Sequence, residues 1–221
     1  MSKSVYSLVL TDDVVSAADL EAGRLGMSRS ALINRILAEA LSCMTPQRRI
    51  ESAFGELDRI IGAMKYLTVT EGGGSVFSVR SPITYKYNPT VRYSVAISDL
   101  SENPFGELRA VFRTQNPAFL QYLEGFFRAW HRLEAAYAGG KFAGGIDAAY
   151  SAGKYVRKLK LIKGSPALSP EQIGAAAAEY IKLLDAAVKI YFAGLNDING
   201  AFLLIENKYA EFLKKNDTIA V

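Results

Sequence analysis

Ser28-Arg29-Ser30 stands directly behind Leu25-Gly26-Met27 and in front of Ala31-Leu32-Ile33. A serine capping a helix whose first turn holds an arginine and a second serine offers free N–H groups, hydroxyls and a positive charge, the chemistry of a phosphate site. Two further groups of cations suit a polyanion. Arg80, Lys86, Arg92, Arg109 and Arg113 alternate with apolar residues between positions 76 and 113. Lys154, Arg157, Lys158, Lys160 and Lys163 fall within ten residues that contain no acid. Catalytic chemistry is poorly provided for. The single Cys43 and single His131 lie 88 positions apart, no serine stands in a nucleophile-elbow context, and no His or Cys pairing has metal-ligand spacing. The expectation is therefore no enzyme, no metal and no cofactor, with His131 structural and Cys43 a core or interface thiol.

The elements that would position Ser28 occupy the first forty residues. Tyr6, Leu8 and Leu10 alternate with Val5, Ser7 and Val9, the period of a strand with two distinct faces. Thr11 stands at an N-cap position, with Asp12 and Asp13 in the first turn of a helix that ends at Gly26. Ser28 caps a second helix, whose apolar stripe includes Leu32, Ile36 and Ala40. A lone strand before two helices lacks a partner for its backbone groups, and a second copy supplies one. Two strands pairing antiparallel across a twofold axis would bury Tyr6, Leu8 and Leu10 against four helices and turn Val5, Ser7 and Val9 outward.

Residues 3–42 resemble the ribbon-helix-helix superfamily of dimeric DNA-binding repressors, which includes the Arc and methionine repressors. The run Leu25-Gly26-Met27-Ser28-Arg29-Ser30-Ala31-Leu32-Ile33, at the right distance behind an alternating strand, carries the resemblance most specifically. It implies a homodimer through strand 4–10, with Val5, Ser7 and Val9 facing bases in the major groove and Lys3, Ser28, Arg29 and Ser30 meeting phosphate. It further implies a role in transcription regulation, as repressor, antitoxin or plasmid-maintenance factor. Charge sets a condition on that role. Residues 1–45 carry four cations against five acids, a net −1, so phosphate affinity must lean on basic residues elsewhere.

The chain of 221 residues, 50% hydrophobic and 22% charged, has room for a small module and one larger domain. Net charge is +4 with a pI near 9.0, compatible with nucleic acid. One cysteine excludes an internal disulfide and points to the reducing cytoplasm; no stretch reads as a secretory signal or a membrane span.

The expected fold is α+β. After the module at 1–44, a connecting helix at 45–71 leads through the glycine run Gly72-Gly73-Gly74, a hinge, into a domain at 72–221. Three antiparallel strands between 76 and 113 turn aromatic and aliphatic residues to one face and Arg80, Lys86, Arg92, Arg109 and Arg113 to the other. Helices at 117–137, 170–193 and 197–215 are marked by Asn116-Pro117, by the capping box Ser169-Pro170-Glu171-Gln172, and by the spacing of Ile198, Phe202, Ile205, Tyr209 and Phe212. Residues 154–163, with Lys154, Arg157, Lys158 and Lys160, fit helix or strand equally. Each basic group has two readings: accessory contact to DNA or an acidic partner, or a solvated face.

The leading function is a dimeric DNA-binding regulator whose C-terminal domain takes a protein partner or an effector. The alternative is a protein-interaction scaffold that uses the ribbon only to dimerise.

Overall fold

The structure, a computed structural model, describes residues 7–41, 45–86, 88–151 and 153–215. Lys3, Val5, Tyr6 and Cys43, all named above, lie outside the described residues, as does Tyr87. The chain is mixed α+β, with six α-helices, one short 3-10 turn and one six-stranded antiparallel sheet among the described residues. It divides into two compact units, residues 1–45 and 46–221.

The small unit consists of α1 (Asp12–Arg24) and α2 (Arg29–Ala40). Gly26 at φ +64° closes α1: Met27 N–H donates to Ala22 O at 3.0 Å and Gly26 N–H to Gly23 O at 3.2 Å. This paired C-terminal closure needs a left-handed residue, which glycine adopts without a Cβ penalty. Thr11 occupies the N-cap position of α1 with extended backbone angles, but its side chain accepts no cap hydrogen bond. Ser28 does cap α2, its Oγ accepting from Ala31 N–H at 3.2 Å.

In the larger unit, α3 (Pro46–Gly62) buries Ile50, Ala53, Phe54, Leu57 and Ile61 along one stripe. Instead of connecting two domains, it packs on α5 (Pro170–Ala193) as part of the core. The sheet order is β1 (Thr68–Gly73), β2 (Val76–Pro82), β3 (Thr90–Ile97), β4 (Gly106–Arg113), β6 (Lys154–Leu159), β5 (Ala148–Ser151).

Three expectations are corrected. The sheet has six strands where three were expected, because β1, β5 and β6 extend it at both edges. The glycine run is no hinge: Gly72 and Gly73 pair with Phe77 and Val76, and Gly74 at φ +62° makes the hairpin turn. The connecting helix expected over 45–71 stops at Gly62, and residues 68–73 form strand β1 instead.

Alternation assigns the two faces of the sheet. Val79, Tyr93, Ala110 and Tyr155 form one cross-strand row on the inner face, and Phe77, Val95, Leu108 and Arg157 form the next. Helices cover that face. Phe77 stacks with Phe54 of α3, Tyr155 with Phe127 of α4 (Pro117–Ala138), and Tyr93 reaches Asp185 of α5. The last helix, α6 (Ile198–Lys215), packs on α5 and sets Tyr209 edge-on to Trp130. Caps fix where α4 and α5 begin: Asn116 Oδ1 accepts from Ala118 and Phe119 N–H, and Ser169 and Gln172 form a reciprocal box.

Candidate nucleic-acid interface

The small unit leaves most of its apolar surface uncovered. Its buried cluster is Ala18, Ala22 and Leu32, with Leu25 and Met27 packed alongside. Leu8, Leu10, Val14, Leu20, Ile36 and Leu37 are exposed, Leu20 at 81% and Leu8 at 58%. Ser7, Leu8, Val9 and Leu10 belong to no strand, and the sheet of the larger unit takes no strand from them. Ser7 and Val9, expected to face bases, are exposed, as are Ser28, Arg29 and Ser30 at the start of α2.

Arg29 is already engaged. Its guanidinium forks onto the Asp19 carboxylate of α1, Nε to Oδ1 at 2.5 Å and Nη2 to Oδ2, and this pairing raises the arginine pKa. The ion pair is half-exposed, so a phosphate can compete for the arginine at small cost.

In the larger unit, alternation puts Thr68, Arg80, Arg92, Val111, Lys154 and Ser151 in one row across the outer face of the sheet. Arg113, paired with Thr90, stands one same-face step from Val111. Arg109 pairs with Ser94 and Val156 in the row on the other side. Arg80, Arg92, Arg113 and Lys154 make no ion pair among the described residues, and Arg80, Arg113 and Lys154 are exposed. Lys86, expected on the outer face with these arginines, lies beyond the end of β2 at Pro82 and in no strand, because the chain turns there. It borders an open cleft together with Arg113, Thr114 and Gln115. Glu107 neutralises part of this face: it accepts from Arg109 and from Lys158 Nζ at 2.9 Å, and the Lys158 and Arg109 contacts hold its carboxyl below the usual range.

The 154–163 cluster does not act as one surface. Residues 154–159 form strand β6, so its side chains alternate between faces. Lys154 and Lys158 point outward, but Arg157 points into the core, 2% exposed, which removes it from any accessory basic face. Lys160 is largely shielded, its Nζ 3.4 Å from Ala143 O and Gly145 O and 3.8 Å from Asp147.

Arg157 belongs to a buried polar cluster that sequence reasoning missed. Its Nε lies 3.0 Å from Glu134 Oε1 but off the N–H axis, so the two attract as charges without a directed hydrogen bond. Tyr155 and Tyr180 hydroxyls donate to Glu134 at 2.5 and 2.8 Å, and Trp130 Nε1 donates to Tyr180 at 3.3 Å. The guanidinium also sits 4.9 Å from the Tyr180 ring centroid and 5.4 Å from that of Phe142. Burial, then the Glu134 charge, pushes both tyrosines well above the ordinary phenol range. Burial opposes the charge on Arg157 more than any one neighbour favours it, but Glu134 together with Tyr180, Tyr155 and Tyr209 outweighs it and raises the arginine pKa. The cluster is enclosed by the core and acts as a structural lock. One sequence signal marks it: Glu134 falls four residues after Trp130, within the apolar stripe of α4.

His131 is partly buried beside Tyr150, ring centroids 6.4 Å apart, and joins no group of metal-ligating side chains among the described residues. No described helix is long and apolar enough to cross a membrane. Comparison with protein-family models, curated proteins and solved structures gives no match.

Proposed function

We propose that the protein is a homodimeric DNA-binding regulator that lays a ribbon made from residue 4–10 of two chains in the major groove and sets the N-termini of two α2 helices on phosphates. The uncovered apolar surface of the small unit carries this reading. A module of about forty residues with so small a core usually needs a metal, a disulfide or an association to fold. The exposed Leu8, Leu10, Val14, Ile36 and Leu37 are the side chains a second copy would cover. Residues 7–10 sit in no sheet of their own chain, which keeps their backbone free for a sister strand. At the phosphate end, Ser28 caps α2 as the reading requires and Ser30 is open.

The test is duplex binding by the full chain at several salt concentrations, with Arg29→Ala beside it. The reading expects affinity that falls steeply with salt and weakens in the variant. No affinity at low salt, or no change on Arg29→Ala, contradicts it.

One observation favours the second reading, a scaffold that uses the ribbon only to pair its chains. Asp19 already holds Arg29, the phosphate-side cation of the small unit. A single protein recovered in stoichiometric amount after nuclease treatment would select the scaffold.

A further inference from the structure

We infer that the outer face of the six-stranded sheet is a second DNA-binding surface, one that grips the sugar-phosphate backbone of a duplex without reading its sequence. The inference concerns residues 46–221 and does not need the ribbon.

Arg80 and Arg92 are direct cross-strand partners on one face, like charges whose Cα atoms stand about 5 Å apart. Such a pair is unfavourable unless an anion lies over it. Lys154 continues the row two strands further on, so the three cations span about 14 Å at ~4.8 Å per strand step. Arg113 flanks the row, and none of the four has an acidic partner among the described residues. Arg92 Nε is shielded from solvent yet bonded to nothing, a donor left without an acceptor. Helices α3, α5 and α4 meet the sheet on the opposite face, through Phe77, Tyr93 and Tyr155.

Charge density selects the occupant. A duplex carries one phosphate per about 1.7 Å of axis, so a patch of this width meets several phosphates at once. The acids on the face are few: Glu107 is saturated by Arg109 and Lys158, and Glu71 stands toward the β1 edge. Half-buried Ser94 and Thr90 and the buried Ser78, whose hydroxyl is bonded to that of Ser94, interleave the cations, and no aromatic side chain shares their rows in β2, β3 or β4. The face can therefore hold a backbone but has no ring on which to stack the bases of a single strand. The balance between units agrees. Residues 1–45 have a net charge of −1 and the whole chain +4, which leaves +5 on residues 46–221.

The experiment measures binding of the full chain to a 30-bp fluorescent duplex of arbitrary sequence between about 50 and 300 mM salt. Each phosphate contact contributes about 0.9 to the slope of log K against log salt. The triple variant Arg80→Gln, Arg92→Gln, Lys154→Gln should lower the slope by about 2.7 if each cation neutralises one phosphate. Glu107→Gln, which frees Arg109 and Lys158, should steepen it, and this second variant keeps the test valid if the triple variant folds poorly. An unchanged slope in both, tighter binding to a single-stranded oligonucleotide than to duplex, or displacement of the duplex by poly-glutamate at equal charge overturns the inference. A Ser28→Ala, Arg29→Ala variant separates the two surfaces. If it binds as the parent does while the triple variant flattens the slope, the ribbon reading fails and the sheet surface stands. If only Ser28→Ala, Arg29→Ala weakens binding, the sheet surface fails and the ribbon stands.

Discussion

Arg157 and Glu134 face each other inside the larger unit, Nε 3.0 Å from Oε1, with 2% and 0% of their side chains exposed. A buried ion pair contributes little against an apolar pair of similar volume, but breaking it strands a charge. Glu134→Gln should therefore cost about 3–5 kcal/mol in urea unfolding. The double variant Glu134→Leu, Arg157→Met should recover most of that loss. A single variant as stable as the parent would show that water reaches the pair.

Alkaline pH should unfold the protein through its buried tyrosines. Burial, aided by nearby Asp185 or Glu134, raises the Tyr93, Tyr155 and Tyr180 hydroxyls well above the ordinary phenol value of 10.0. Their contribution to stability is complete below pH 10 and declines above it, because the unfolded chain loses these protons first. The loss is about 1.4 kcal/mol per pH unit for each tyrosine. Absorbance at 295 nm should show these phenols titrating together with loss of helix by circular dichroism. Ordinary titration of every tyrosine near pH 10 in a folded protein would contradict this.

The contact between α3 and α5 depends on Gly174. A Cβ at that position would lie 2.0 Å from Ala53 O, a backbone atom that cannot turn aside. Gly174→Ala should separate the helices and cost about 1–3 kcal/mol. Gly55→Ala, on α3 with nothing within 4 Å, is the control and should be neutral or slightly stabilising. Equal stabilities for the two variants would refute the close packing.

Much of this architecture was legible because local chemistry marks it. Asn116-Pro117 and Ser169-Pro170-Glu171-Gln172 announced the starts of α4 and α5 through their caps, and the alternation of Val91, Tyr93, Val95 and Ile97 announced β3. Strand β6 was ambiguous for a physical reason. Its inward positions are Tyr155, Arg157 and Leu159, and a charge at the middle one hides the apolar period unless Glu134, 23 residues earlier, is known to meet it. Strand β1 was hidden by glycines that read as a hinge when their partners Val76 and Phe77 are unseen. At the candidate interface, the Ser28 cap and the placing of Arg80, Arg92, Arg109 and Arg113 on one face of the sheet followed from spacing. The engagement of Arg29 by Asp19 did not, since ten residues and a turn separate them.

Sedimentation velocity of the full chain, with and without duplex DNA, tests most directly whether two copies join through residues 4–10. The parent should sediment as a species of twice the 24.1 kDa chain mass, and Leu8→Glu should reduce it to a single chain without melting the larger unit. A parent that stays a single chain at micromolar concentration with DNA present, or a Leu8→Glu protein that remains paired, would contradict the account.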